Sequence, residues 1–416
     1  MYNRDMKPIK VMRYGSKYRY NQKRSNPLPK ILIGVGVIAI IALTVLVVLR
    51  FADINKKAKD NGALNTQMSA DKVTVMDVKT GDVCILSMPS AINMKEVEFT
   101  SSDPNIVRVD AAGHTDALAV GKATVTATSR NFTAECQFTV TENTEPEYPD
   151  EVTTAIKANQ DVLAQNQASG ARDIYSITVN RRTNTVTVYT KDQDGEFTVP
   201  VRAMICSCGK GGEFTTITGD FSIYFQEPWH PLYDNVYGMF VSGFKDDFLF
   251  HSVPYEATSH DTLETAEFNK LGEPASQGCV RMMVSDVYWI MRNCDLNTPV
   301  HIIDEDTKFD PLGRPNAPKL PVGATWDPTD NTEGNPFLGK LPTLEGAEDV
   351  TLKKGGHFEE MDGVTAADIC GNDITDRVKI AGQVIPEKPG VYYLTYSITD
   401  DFNLRSRVTR TVTVTE

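Results

Sequence analysis

Two short segments hold the residues best suited to chemistry. Cys279 lies in Ser276-Gln277-Gly278-Cys279-Val280-Arg281, and His251 lies upstream in Phe248-Leu249-Phe250-His251-Ser252-Val253-Pro254-Tyr255. A free thiol has a pKa of about 8.5, so only a few per cent is thiolate at neutral pH. An imidazole that takes the proton turns such a thiol into a working nucleophile. His251 is therefore expected to serve Cys279 as general base, proton donor or ion-pair partner. A pair held within about 3–4 Å would favour the thiolate, and proton transfer of this kind contributes roughly 10²–10⁴ in rate. Gly278 has no Cβ and lets the backbone approach a substrate carbonyl. The amides of Gly278 and Cys279 could then face a developing oxyanion, where one donor is typically worth about 10²–10³ in rate. Ser252, Ser276, Tyr233 and Trp229 are candidates to line the site. Arg281 either holds the cysteine loop or pairs a substrate carboxylate. Taken alone, a cysteine is more often a small buried hydrophobe; the bend before Cys279 and the upstream histidine carry the chemical reading.

These residues need elements to position them. Leu249, His251 and Val253 alternate on one face of a strand. Val284 to Met291 has helical spacing, with Ser285 or Asp286 expected as its cap. Ile177 and Val179, a turn at Arg182-Thr183-Asn184, then Val186 and Val188 read as a hairpin. The stretch from Glu256 to Leu271 is expected to form a lid or a wall of the site.

The same segments resemble the L,D-transpeptidase (YkuD-type) catalytic domain. The match rests on His251, on Ser276-Gln277-Gly278-Cys279-Val280-Arg281, on Cys206-Ser207-Cys208-Gly209-Lys210 with Thr216-Ile217-Thr218-Gly219-Asp220-Phe221, and on Asn293 to Val300. It departs at Gln277, often His in that family, and at Ile217, where the family has Pro. The resemblance implies a β-sandwich with a helix near the cysteine and no metal or organic cofactor. It also implies peptidoglycan stem peptides as substrate: the Cys takes the acyl group, terminal D-Ala leaves, and an amine of a second stem completes a 3→3 crosslink. Hydrolysis of the thioester, an L,D-carboxypeptidase reaction, is the first alternative. A wall-binding surface protein without catalysis is the second.

The rest of the chain reads as mainly β and multidomain. Residues 71–142 resemble the bacterial Ig-like group 2 modules through Thr100 to Pro104, Val109-Asp110 with Gly113, and Gly121 to Val125. Residues 342–416 resemble a second bacterial Ig-like type through Thr365 to Asp368, Asp373-Ile374-Thr375 and Tyr393 to Tyr396. Such modules space domains or bind cell-wall or surface partners. Between them lie a linker at 143–171, the catalytic block at 172–306, and a proline-rich stretch at 307–341 that cannot be a helix or an interior strand.

Residues 31–49 are nineteen residues without a charge. As a helix they would run about 28 Å, close to the roughly 30 Å hydrocarbon core of a bilayer. Nine Lys and Arg against one Asp in residues 1–30 place that tail on the cytoplasmic side, and residues 50–70 read as a stalk. A membrane anchor with an extracytoplasmic catalytic domain is the expectation. The chain's net charge of −13 despite that basic tail argues against a nucleic-acid partner. Of the seven cysteines, Cys84 and Cys136 fall in strands and either form a bridge or stay buried as thiols. Cys206 or Cys208 could pair with Cys294. The Cys-x-Cys lacks the companion ligands of a zinc site, and no metal is expected.

Overall fold

The computed structural model describes residues 63–143 and 153–416. The basic tail, the 31–49 segment predicted to span a membrane, and most of the stalk lie outside the described residues. Among the described residues no helix is long and apolar enough to cross a membrane.

The catalytic block is a two-sheet β-sandwich, as its alternating Val and Thr demand. Its strands are β1 (Tyr175–Asn180), β2 (Thr185–Lys191), β3 (Phe197–Ile205), β4 (Gly219–Ser222), β5 (Phe225–Pro231), β6 (Tyr237–Lys245), β7 (Phe248–Ser252), β8 (Val280–Met282) and β9 (Pro299–Ile303). One sheet runs β3-β2-β1-β9-β4 and the other β5-β6-β7-β8. The predicted hairpin is β1–β2, with Val186 opposite Val179. Ile177, Val179, Val186 and Val188 face Phe250, Val280 and Met282 across the core, all fully buried. β7 and β8 are parallel and put His251 beside Arg281. A parallel pair needs a long crossover. Residues 253–279 supply it, and the stretch ends at the cysteine bend.

Three helices complete the block: α1 (Thr153–Ala168), α2 (Thr265–Phe268) and α3 (Val284–Asn293). The segment read as a linker at 143–171 is thus partly helical. α1 lies on the catalytic sheet, with Leu163 in its core and Asn159 and Gln160 donating to the carbonyls of Pro200 and Val201.

The cap expected for α3 differs in origin. Neither Ser285 nor Asp286 caps it. The Val284 N–H donates to Asp327 Oδ2 at 2.9 Å, and the Ser285 N–H to Thr329 Oγ1 at 3.0 Å. Asp286 is buried and paired with Arg202 at 2.9 Å. The caps come from the proline-rich stretch, which is an ordered wrap over the catalytic domain. Leu320, Asp327, Asp330 and Asn335 are all buried in it.

Each Ig-like module has its own sandwich. The N-terminal one packs a sheet of Ala63–Gln67, Val83–Ser87, His114–Ala117 and Val107–Val109 on one of Thr74–Lys79, Phe132–Thr141, Gly121–Ser129 and Glu98–Ser101. The C-terminal one is built on Val350–Lys353, Arg405–Thr415, Gly390–Thr399 and Lys379–Ala381, with a small sheet of Thr343–Glu345 and Thr365–Ala367. The two modules are clasped together. Lys388 Nζ donates to the carbonyls of Ala111 (2.8 Å), Met94 (3.3 Å) and Val97. The Tyr393 N–H donates to Asp110 Oδ2 at 2.9 Å, and the Arg108 guanidinium lies 3.8 Å over the Tyr393 ring. All seven cysteines are unpaired thiols, so Cys84 and Cys136 take the buried-thiol alternative and Cys294 pairs with neither Cys206 nor Cys208; Cys206 Sγ lies 3.9 Å from Cys208 Sγ.

Candidate active site

A cleft of about 1030 Å³ opens beside the β5–β8 sheet, and both Cys279 and His251 line it. The cysteine bend is braced from three directions. Ser276 Oγ donates to the Cys279 carbonyl at 2.6 Å and accepts the Gly278 N–H at 3.1 Å. Thr216 Oγ1 donates to the Gly278 carbonyl at 2.7 Å and accepts the Gly209 N–H at 2.8 Å. Ser207 exchanges backbone bonds with Arg281 on the far side. Gly278 has φ of +120°, and a Cβ there would meet the Phe248 ring at 3.1 Å, so the bend itself requires glycine.

His251 is 2% exposed. Its Nδ1 lies 2.6 Å from the Ser252 carbonyl. A carbonyl only accepts, so Nδ1 carries the proton and Nε2 keeps its lone pair. Burial, reinforced by Arg281, pushes the imidazole down to about 3, so the ring is neutral at physiological pH. The Cys279 thiol donates to the Asp247 carbonyl at 3.3 Å. Burial pushes it up to about 11, while a bond from the Leu249 N–H and the charge of Arg281 favour its thiolate. Among the described residues no hydrogen bond joins His251 to Cys279. The resting pair is then a neutral thiol and a neutral base, which fits the general-base alternative for His251 rather than the ion-pair one. Desolvation accounts for the difference, because it disfavours both charges.

Other expected site residues separate cleanly. Ser252 is fully buried, donating to the Val253 carbonyl and accepting the Met239 N–H at 2.9 Å, so it cannot touch substrate. Ser276 is likewise fully buried and consumed by its loop. The Gly278 amide is spent on Ser276, so of the two amides expected to face an oxyanion only that of Cys279 stays a candidate. Arg281 lines the cleft and pairs with Glu267 at 2.5 Å. Tyr233 stands at the rim, 66% exposed. Trp229 packs edge-on against Tyr255 instead. The Glu256–Leu271 stretch is a wall: α2 and its flanks bring Glu264, Glu267 and Lys270 to the cleft.

Sequence reasoning missed Asp247, Asp234 and the bracing role of Thr216. Only Thr216 had a signal, in the segment that carried the family likeness.

Three parts of the chain match known domain families. Residues 174–302 match the L,D-transpeptidase catalytic domain, residues 66–140 the bacterial Ig-like domain (group 2), and residues 342–414 the Ig-like domain of bacterial surface proteins. YciB of Bacillus subtilis (strain 168), which bears an L,D-transpeptidase designation, is 41% identical over 56 residues. That match covers 14% of this chain and 28% of the length of YciB. Among solved structures, the L,D-transpeptidase from Mycobacterium smegmatis is 15% identical, covering 57% of this chain and 98% of its own, with a TM-score of 0.25. The L,D-transpeptidase (Yku) from Stackebrandtia nassauensis is 18% identical, covering 40% of this chain and 83% of its own, with a TM-score of 0.24. The chain carries an L,D-transpeptidase catalytic domain of the YkuD family, set between two bacterial Ig-like domains.

Proposed function

We propose that this protein is a cysteine-dependent L,D-transpeptidase acting on peptidoglycan stem peptides. The observation that carries the reading is Cys279 and His251 lining one cleft, the first braced on a tight bend and the second with Nε2 free to accept. As the substrate carbonyl is attacked, the Sγ proton passes to Nε2 and a C–S bond forms. The collapsing intermediate breaks the C–N bond, and the imidazolium returns its proton to the departing D-Ala amine. The Cys279 amide faces the transient oxyanion. An amine of a second stem then attacks the acyl carbon as the C–S bond breaks, with His251 taking the amine proton and passing it to the departing Cys279 sulfur, to give the 3→3 crosslink.

The Ig-like domains fit a role in spacing or surface binding. The apolar 31–49 segment, with its basic flank, would hold the catalytic domain outside the cytoplasmic membrane. Mass spectrometry of wall fragments after incubation with a tetrapeptide-stem donor tests the reaction. Linked stems with loss of D-Ala are expected. Trimmed stems alone would make the enzyme a carboxypeptidase, and unchanged stems would overturn the proposal.

A further inference from the structure

The β5–β6 hairpin touches His251 and the bend that carries Cys279. Just below its tip, Gly238 packs so closely on His251 that a Cβ would stand 2.9 Å from the histidine Cβ and 3.2 Å from Nδ1. At its tip, Asp234 Oδ2 accepts a hydrogen bond from Gln277 Nε2 at 2.6 Å, two residues before Cys279. A one-turn 3₁₀ helix at Tyr233–Asn235 forms the tip, closed by a bond from the Leu232 N–H to the Val236 carbonyl at 2.8 Å. Asp234 and Asn235 both hold left-handed backbone, at φ of 65° and 59°. Non-glycine residues persist there when surrounding contacts over-determine them, often at ligand clamps. The tip also presents Tyr233 to the cleft.

We propose that Gln277 and Asp234 form a latch. The latch holds the Leu232–Val236 tip as a flap over the nucleophile, so that the acyl donor is gripped between Tyr233 and the cysteine bend. Gln277 is then a positioning residue that acts through Asp234. The proposal rests on the cleft being an acyl-transfer site. It gives the position two before Cys279 a task that needs an amide donor rather than a titrating ring.

The test uses the full chain and three variants: Gln277→Ala, Gln277→Glu, and Gln277→Glu combined with Asp234→Asn. Gln277→Ala should speed hydrogen exchange of the 232–236 amides and quicken iodoacetamide alkylation of Cys279 a few-fold, because the thiol is uncovered. It should slow acylation by a tetrapeptide-stem donor about tenfold, mostly in KM. A merely structural role would not move alkylation and acylation in opposite directions. Gln277→Glu sets two carboxylates against each other and should do worse. The double variant should recover toward wild type, since it swaps donor and acceptor: the new amide at position 234 can donate to the new carboxylate at position 277. Asparagine also tolerates φ near +60°. Unchanged exchange at the tip, or a double variant no better than Gln277→Glu, would overturn the latch. If even the wild type leaves the stem donor unreacted, the functional reading fails, while the exchange and alkylation results still decide the latch.

Discussion

Lys388 and His251 are both ionisable side chains withdrawn from water, the first partly, in the clasp between the Ig-like domains, and the second almost wholly, in the cleft. Lys388 has three donors and three carbonyls to receive them, from Met94, Val97 and Ala111. Asp110, beside it, accepts backbone bonds from Ala112, His114 and Tyr393. A buried polar group satisfied in this way fixes one geometry and has nothing left to offer a ligand. His251 spends Nδ1 on Ser252 and keeps Nε2 in reserve, while burial holds it neutral. Cys279 is likewise kept protonated. The same physical cost, desolvation, makes a rigid joint where every partner is supplied and a reactive pair where one is withheld.

The largest expected effect breaks the reactive side outright. Cys279→Ala should abolish the covalent adduct formed with a carbapenem-like acylating agent, read by intact mass. The clasp and the fold should be unchanged, because the half-buried thiol contributes little packing. An adduct on that variant would move the nucleophile elsewhere and end the contrast.

His251→Ala comes next, with a fall of roughly 10²–10⁴ in acylation rate. The pH profile sharpens the test. With the imidazole pushed down to about 3 and the thiol up to about 11, neither changes charge in between. Wild-type acylation should therefore be flat from roughly pH 5 to pH 9. Without the base, the rate should follow the thiolate and rise about tenfold per pH unit. An inflection near pH 6.5 in the wild type would mean that the histidine is not desolvated. Stability follows the same sign. The unfolded histidine takes a proton below about pH 6.5 and the native one does not, so this contribution is present above that pH and drains away as pH falls toward 3.

A smaller effect concerns the brace. Ser276→Ala leaves the Cys279 carbonyl and the Gly278 amide without their partner. About tenfold slower acylation is expected, from a loosened bend, with about 1–3 kcal/mol lost in urea unfolding. Ser276→Thr, which keeps the hydroxyl, should retain part of both.

How far the sequence reached follows from what each residue depends on. Cys279 and His251 could be singled out because the bend and the strand that carry them are local patterns, and the fold brings both to one cleft. The hairpin of β1 and β2 was legible for the same reason. Ser252 and Ser276 were misplaced because a hydroxyl beside a nucleophile looks the same whether it faces a substrate or its own backbone. The α3 cap was misassigned because Asp327 and Thr329 reach it from about forty residues away. A still longer separation hid the clasp, in which Asp110 and Tyr393 are 283 positions apart. The resting protonation of the pair was also beyond reach, since desolvation is a property of the assembled fold.

The smallest expected effect on catalysis belongs to the clasp, and it tests whether the two buried sites are independent. Lys388→Met keeps the length of the side chain and removes its three hydrogen bonds. The carbonyls of Val97 and Ala111 would then lose the donor they have from Lys388, while that of Met94 would keep the Val97 N–H. An unsatisfied buried acceptor costs about 1–3 kcal/mol, so the junction should loosen measurably. Faster hydrogen exchange at the Ala111 and Tyr393 amides would show it, because those amides bond across the joint to Val391 and Asp110. Acylation of Cys279 should stay within about twofold of wild type, since no residue of the clasp lines the cleft. Sites that share no partner add independently, typically within about 0.5 kcal/mol. A tenfold loss of acylation in Lys388→Met would show that the clasp feeds into the cysteine bend, and the rigid joint and the reactive pair would then have to be treated as one coupled system.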